Sequence, residues 1–188
     1  METLLGILIG IGLSAACGFR VFVPLLVTGI AAKTGHLHLA AGFSWIQSYP
    51  ALVAFSAASV LEIGGYYIPW LDHLLDTLST PASIVAGTII TASMVTHMDP
   101  FLRWTLAVIA GGGMAATVQG VTVLGRGAST ATTGGLGNPI FATLELGAAL
   151  FTSILAIIAP LVVIAMIVLV LILAARKFLP RKVPVPAT

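Results

Sequence analysis

Three charged residues lie deep inside long apolar stretches of this sequence, where an ionised side chain is costly. Arg20 lies in the apolar block 4–32, and Glu62 and Glu145 lie in two later blocks. A charge at the centre of a bilayer costs at least about 2.5 kcal/mol, so it usually faces a partner, water or a ligand. We therefore expect any ligand-binding or proton-transfer chemistry to centre on these three side chains.

Arg20 and Glu62 are predicted to form an ion pair. Each lies about 12 residues, or roughly 18 Å of helix, from the same membrane face if the first two blocks are antiparallel neighbours. Glu62 could instead carry a proton. Pro24 cannot donate the helical hydrogen bond to the carbonyl group of Arg20, so we expect the helix to bend or unwind between Gly18 and Pro24. Arg20 would then hold two helices together, contact a solute, or do both.

Residues 125–139 form a segment rich in glycine, serine and threonine that leads into a helix starting at Pro139. Glycine lets backbone amides approach an anion or line a cavity, and a helix N-terminus favours an anion. We interpret the segment as a re-entrant lining; a flexible exposed loop is the alternative. The binding residues expected on these grounds are Arg20, Glu62, Gln119, Thr133, Gly134, Gly135, Asn138 and Glu145.

An acidic turn follows the second apolar block. Asp72 and Asp76 are four residues apart and share one helix face, with His73 beside Asp72 in sequence. Two carboxylates and a histidine could hold a divalent cation, although an interfacial turn anchored by Trp70 explains the same pattern. We expect no cofactor and no catalytic residue, because no zinc-protease, paired-cysteine, nucleophile-elbow or P-loop pattern is present.

The composition requires a lipid environment for the elements that carry these residues. The 188-residue chain has 59% hydrophobic and 7% charged residues and a mean hydropathy of +1.12, whereas a soluble domain carries roughly 25% charged residues. An ordinary cytosolic enzyme, a nucleic-acid-binding protein and a disordered chain are therefore excluded. We predict an all-α bundle of transmembrane helices in one domain, residues 1–178, followed by a basic, proline-rich cytoplasmic tail, residues 179–188.

Five apolar blocks predict about five spans, with six as the alternative, since a span needs about 20 residues. The last block is too long for one span, so either its first part is a partial or steeply tilted segment or the chain reverses near Pro160. Because no polar turn surrounds Pro160, we favour one long helix that is kinked or broken there. Pro50, Pro81 and Pro139 stand where a helix would start, the position that proline tolerates best. The blocks are 4–32, 50–70, 81–96, 101–124 and 139–175, and the expected helix breaks are at Gly18, Pro24, Pro69, Pro139 and Pro160.

Sidedness follows from the basic residues, because cytoplasmic loops are enriched in Lys and Arg. Five spans place six of them on one side, with only Arg126 on the other. We therefore expect a bacterial inner-membrane protein with its N-terminus and acidic turn outside and its C-terminus in the cytoplasm. The first block lacks a preceding basic region and should be retained rather than cleaved. The six residues are Lys33, Arg103, Arg176, Lys177, Arg181 and Lys182.

The two halves of the chain, about 4–72 and 101–165, resemble each other weakly. Ala15-Ala16 followed by Gly18-Phe19-Arg20 aligns with Ala115-Ala116 followed by Val118-Gln119-Gly120. With five spans the repeat would be inverted, which is typical of alternating-access transporters with interrupted helices. The alternative is that small-residue membrane helices simply look alike.

A family resemblance is carried by three motifs: GFRVFVPLL around Arg20, IPWLDHLLD after Glu62, and TTGGLGNP before Glu145. Together they resemble a family of small bacterial polytopic membrane proteins catalogued as domain of unknown function 4126, over roughly residues 5–175. The resemblance implies no activity. Gly64–Tyr67 and Leu146 depart from charged positions of the family, which puts any site built on those charges in doubt. The family-like positions are Arg20, Glu62, Pro69, Asp72, Asp76, Gly134, Gly135, Gly137, Asn138, Pro139 and Glu145.

The leading functional hypothesis is a transporter or channel-like protein for a small anionic or zwitterionic solute or a lipid phosphate. Glu62 or Glu145 could couple protons. The alternatives are a non-catalytic membrane subunit, lipid-binding protein or assembly factor, and a metal-dependent membrane enzyme acting on lipids. Membrane lipids are expected partners and nucleic acid is not, and Gly111–Gly113 could support a homodimer.

Overall fold

We describe the fold from a computed structural model that covers residues 2–178, without the side chains of residues 69, 70, 72, 73, 171, 174, 175, 177 and 178. Every regular element in this part of the chain is helical, as the composition predicts. The helices are α1 Glu2–Cys17, α2 Phe22–Lys33, a 3₁₀ turn Ser44–Gln47, α3 Tyr49–Gly65, α4 Pro69–Met94, α5 Pro100–Leu106, a π-helical stretch Ala107–Gly112, α6 Gly113–Thr133, α7 Asn138–Ile158 and α8 Pro160–Phe178.

Three helical segments in residues 2–178 are long and apolar enough to cross a membrane. They are Leu74–Met94, Asn138–Ile158 and Pro100–Thr133, in which α5, the π-helical stretch and α6 run on as one helix. The remaining helices are shorter but also apolar. This set of helices fits a membrane protein, while the number of spans stays a prediction.

The first apolar block folds back on itself instead of crossing as one helix. α1 ends at Cys17 and α2 begins at Phe22, and one pocket is lined by both Glu2 and His36. A straight helix would separate those two residues by about 50 Å. α1 and α2 therefore form a helical hairpin, and residues 18–21 are its tip. Both ends of the hairpin lie on one face of the protein, face A, which also contains Met94 and His97.

α3 and α4 connect face A to the opposite face. α3 runs antiparallel to α2, because Gly29 packs on Ile46 and Leu52 near face A, whereas Glu62 contacts Phe22 at the tip. The 26 residues of α4 then span about 39 Å back to Met94 at face A. Face B is defined by the ends of α4, α6 and α7 at Pro69, Thr133 and Asn138.

Pro81 lies inside α4, so the expectation that it starts a helix is wrong. Leu71, Leu74, Leu75 and Leu78 recur at helical spacing before it and extend the apolar face toward face B. The Thr80 hydroxyl also donates to the Asp76 carbonyl (3.0 Å) within this first part of α4. A single proline lacks only one N–H group, and the surrounding periodicity outweighs that loss here.

The last block reverses at Pro160. α7 ends at Ile158 and α8 begins at Pro160, at the break expected from the sequence. Ala156 of α7 and Val163 of α8 both pack against Gly12 of α1, although seven residues of one straight helix would separate them by about 10 Å. α8 therefore returns toward face B, and the expected single kinked helix is a second hairpin.

These two hairpins change the predicted sidedness. The N-terminal end of α1 lies at face A together with Lys33 and Arg103, whereas five spans would place it on the opposite side from them. α8 carries Arg176 toward face B, away from Lys33. The count that placed all six cations on one side assumed that the first and last blocks each cross the membrane. The tail, including Arg181 and Lys182, lies outside the described residues, and the cytoplasmic face stays a prediction.

Small residues hold the centre of the bundle together. Gly10 packs on Thr91 of α4, and the Ser14 hydroxyl donates to the Gly87 carbonyl (2.6 Å). Gly111 and Gly112 face Thr91 and Thr88 of the same chain. Two of the three glycines expected to support a homodimer are thus already used inside the bundle. Helix approach of this kind leaves no room for side chains, so this half of the protein is closely packed toward face A.

Candidate functional site

The hairpin tip places Arg20 inside the protein. Gly18 contacts the α6 backbone so closely that an added Cβ would lie 2.7 Å from the Ala115 carbonyl oxygen and 2.5 Å from the Val118 Cβ atom. This contact places the hairpin tip between α6 and α7. Arg20 is only 1% exposed, and its Nη2 atom donates to the Ala142 carbonyl oxygen of α7 (2.8 Å).

Glu62 caps the second helix of the hairpin. Its Oε1 atom accepts a hydrogen bond from the Val21 amide (2.8 Å), and its Oε2 atom accepts one from the Phe22 amide (3.2 Å). These amides begin α2 and have no partner within that helix, and a carboxylate also favours the positive end of the helix dipole. A residue 41 positions away in sequence thus stabilises the break in the first block.

The predicted Arg20–Glu62 ion pair is wrong. The backbone amides donate to both oxygens of Glu62. Among the described side chains, the carboxylate within 4 Å of Arg20 belongs to Glu145, whose Oε2 atom lies 3.8 Å from Nη2. Arg20 and Glu62 do lie at a similar depth, as expected, because α2 and α3 are antiparallel. The hairpin reversal, however, puts backbone amides rather than the guanidinium group against Glu62.

Arg126 connects Glu145 to a further carboxylate, that of Asp76. Its Nε atom donates to Glu145 Oε1 (3.0 Å), its Nη2 atom donates to Glu145 Oε2, and its Nη1 atom donates to Asp76 Oδ1 (3.0 Å). Asp76 lies seven residues after Pro69, Arg126 seven before Thr133, and Glu145 seven after Asn138. All three side chains therefore start at one depth, about 10 Å inside face B.

Tyr66 packs against both arginines. The guanidinium carbon of Arg20 lies 4.0 Å from the centre of the Tyr66 ring, and that of Arg126 lies 3.8 Å from it. Such cation–π contacts are strongest when water is excluded. The Tyr66 hydroxyl shares a hydrogen bond with Ser79 of α4 (2.9 Å). We call Arg20, Glu62, Tyr66, Asp76, Arg126 and Glu145 the ion cluster.

Sequence reasoning missed Arg126 and Tyr66. Arg126 was placed in a re-entrant loop, but α6 continues to Thr133, so this interpretation of residues 125–139 is wrong. Within residues 125–139, only Gly134 and Gly135 have positive φ angles, of 63° and 90°, and they end the helix as such residues commonly do. Tyr66 could have been found from its position four residues after Glu62, on the same helix face.

A cleft at face B reaches the ion cluster. It has a volume of about 490 Å³. Asn138 lies at its rim, and its side-chain amide donates to the Thr130 hydroxyl (3.1 Å). Asp76 is 19% exposed and Arg126 only 4% exposed, counting side chains. The cleft lining is Asp76, Thr77, Val123, Arg126, Gly127, Thr130, Ala131 and Asn138.

The other predicted binding residues take part in helix packing or in the turn before α7. The Gln119 side chain is buried, and its backbone lies at the crossing of α6 with Gly18. Thr133 accepts a hydrogen bond from the Gly137 amide (3.0 Å), and with Gly134 and Gly135 it shapes the turn before α7. None of these three turn residues lines the cleft.

The structure does not test the predicted metal site as a whole. The side chains of Asp72 and His73 lie outside the described residues, and Asp76 is paired with Arg126. Among the described side chains, no three His, Cys, Asp or Glu residues are placed to hold a metal ion.

The chain also matches a known protein family. Residues 7–179 match the family described as "Domain of unknown function (DUF4126)". The chain belongs to this family. No curated protein and no solved structure gives a match. Because the family description assigns no activity, the functional argument depends on the ion cluster and its cleft.

Proposed function

We propose that this protein is a small membrane transporter that binds a polar solute with an anionic group at the ion cluster. The observation that carries the proposal is Arg20. Its side chain is fully buried, and its Nε and Nη1 atoms have no hydrogen-bond acceptor in the described part of the chain. An unsatisfied buried donor costs about 1–3 kcal/mol, and more for a charged group.

A bound anionic group would supply the missing acceptors. Arg20 and Arg126 meet at Glu145 and Tyr66, so a carboxylate or phosphate oxygen reaching Arg20 would also lie near Arg126. Guanidinium groups bind such oxyanions through several N–H donors at once. Arg20 would thereby gain acceptors that the protein itself does not provide.

Access to the cluster is one-sided, which supports a transport cycle. The cleft is lined from Asn138 at face B inward to Arg126 and Val123. Toward face A the path is filled by the contacts of Gly10, Ser14 and Gly18 with α4 and α6. Transporters with interrupted helices bind their solute near the break and open one side at a time. The α1–α2 hairpin is the element placed to move, because its tip carries Arg20 and its body fills the closed side.

Glu145 is the better placed of the two candidate proton carriers. Its carboxylate is shared by Arg20 and Arg126, so protonation would weaken both contacts and free both guanidinium groups for the solute. Glu62 instead holds the amides of α2, and losing that charge would disturb the hairpin.

The test is flux in proteoliposomes, with radiolabelled phosphate, acetate and β-alanine as probes. We expect at least one probe to accumulate with the wild type and to lose accumulation at least 10-fold with Arg126→Gln and Arg20→Gln. Lys33→Gln, which removes an exposed cation at face A, is the matched control and should retain flux. Circular dichroism and a thermal melt establish that each variant is folded, and Arg20→Lys separates loss of charge from loss of shape.

Two results would contradict the proposal. One is equal flux in folded Arg20→Gln and Arg126→Gln. The other is no flux of any probe with folded wild type in vesicles loaded to allow exchange in either direction.

A further inference from the structure

We infer that the solute is a zwitterion of amino-acid size, whose anionic group binds Arg126 and Arg20 and whose cationic group binds Asp76. This inference rests on the proposed function and names the substrate class of the same site. The observation behind it is the order of charges along the cleft. Asp76 is the more exposed partner of an ion pair whose other member, Arg126, is buried.

The charge balance of the ion cluster disfavours a simple anion. Its described side chains include three carboxylates, Glu62, Asp76 and Glu145, but only two guanidinium groups, those of Arg20 and Arg126. While Glu145 is ionised, a simple anion would add a fourth negative charge beside Asp76 and Glu145, in surroundings where repulsion is weakly screened. A solute that brings its own cation adds no net charge.

The Asp76–Arg126 ion pair is itself a template for such a solute. Arg126 Nη1 and Asp76 Oδ1 are 3.0 Å apart at the inner end of the cleft. A zwitterion can insert between them so that its carboxylate or phosphate takes the Nη1 donor and its ammonium group takes the Oδ1 acceptor. One protein ion pair is then exchanged for two ion pairs with the solute, and neither Asp76 nor Arg126 loses its partner charge.

The cleft fits this class in size and lining. Its volume of about 490 Å³ accommodates a molecule of amino-acid size with a few waters, and most small-solute pockets exceed about 300 Å³. Thr77, Thr130 and Asn138 contribute polar groups around the ion pair. The nearby apolar residues are few and short, so a long hydrocarbon chain would find little contact.

Three probes of matched size test the inference with the full chain. β-Alanine carries both charges, propionate carries only the carboxylate, and propylamine carries only the ammonium group. We expect β-alanine to raise the melting temperature of the detergent-solubilised protein at a concentration at least 10-fold below that needed for either other probe. Counterflow of radiolabelled β-alanine in proteoliposomes measures transport separately.

Asp76→Asn is the decisive variant, because it keeps the shape of the side chain and removes its charge. We expect it to weaken β-alanine binding at least 10-fold and to leave propionate binding unchanged or stronger. Asp99→Asn is the matched control at face A. Asp99 caps α5 by accepting from the Phe101 amide (2.9 Å), and asparagine caps a helix equally well, so this variant should bind β-alanine like the wild type.

These outcomes distinguish the proposal of a zwitterionic solute from the proposal of transport. Propionate or propylamine binding as tightly as β-alanine, unchanged β-alanine binding in Asp76→Asn, or no stabilisation by any probe would each overturn the zwitterion. Arg126-dependent flux of propionate alone would overturn it while supporting transport. β-Alanine binding that depends on Asp76 but gives no counterflow would support the zwitterion and contradict transport.

Discussion

The protein reverses its chain twice between apolar helices, and the two reversals are built differently. At the hairpin tip, the amides that begin α2 donate to the Glu62 carboxylate, and Arg20 extends from the same turn to α7. At Pro160, the reversal between α7 and α8 contains only apolar side chains. There the backbone supplies the contacts, since the Ala159 amide donates to the Leu155 carbonyl (2.7 Å), and proline has no N–H group to satisfy.

The apolar reversal shows that a turn between these helices requires no charge. Glu62 is explained by the cap that it gives α2, but Arg20 is not explained by the need to reverse the chain. Arg20 adds cost at depth, and in return it places a cation in the ion cluster. This contrast is the reason to place function at the first hairpin, and the following experiments test it.

Glu62→Ala should have the largest effect. It leaves the Val21 and Phe22 amides without acceptors, and we expect it to lower the free energy of unfolding by about 2–4 kcal/mol. Thermal unfolding in detergent measures this. The control Glu2→Ala removes an exposed carboxylate at the start of α1 and should change stability little. Equal effects of the two changes would contradict the capping role of Glu62.

Gly18→Ala should come next. Its new methyl group would overlap the Ala115 carbonyl and Val118, so the tip must shift, at a cost of about 1–3 kcal/mol. Gly120→Ala is the matched control, because nothing lies within 4 Å of the Gly120 position, and it should stabilise α6 by up to about 1 kcal/mol. The same melts compare them, and a neutral Gly18→Ala would show that the tip is loosely seated.

Tyr66→Phe should have a smaller effect on stability, about 0.5–1.5 kcal/mol, because it removes only the hydrogen bond with Ser79. It keeps the ring that contacts both arginines, so probe flux should persist. Tyr66→Leu removes the ring and should reduce flux more than stability. If Phe and Leu reduce flux equally, the hydroxyl group rather than the ring is the important part of Tyr66.

Pro160→Ala should have the smallest effect, about 0.4–1 kcal/mol through the greater freedom of the unfolded chain. α8 is held by its packing on α1 at Gly12, not by the proline alone. Flux should equal that of the wild type. A loss of flux without a loss of stability would mean that the second reversal also takes part in transport, and the contrast between the two would fail.

Local signals identified much of the fold and part of the site. Gly18 and Pro24 indicated the first break, and the burial of Arg20, Glu62 and Glu145 followed from their apolar surroundings. Local signals could not distinguish a bend from a reversal, because the cap on α2 comes from Glu62 in another helix. Arg126 was missed for a related reason: the glycine-rich stretch around it has the composition of a loop, although only residues 134–137 of this stretch lie outside α6 and α7.

Arg20 also constrains the order in which the chain is assembled. Its hydrogen-bond acceptor, Ala142, and its nearest carboxylate, Glu145, lie more than 120 positions later. As the chain emerges from the ribosome, the first 33 residues therefore enter the bilayer before any partner for this guanidinium exists. The contacts of Arg20 with Ala142 and Glu145 can form only after α7 has been synthesised, so the segment made first is among the last to be completed.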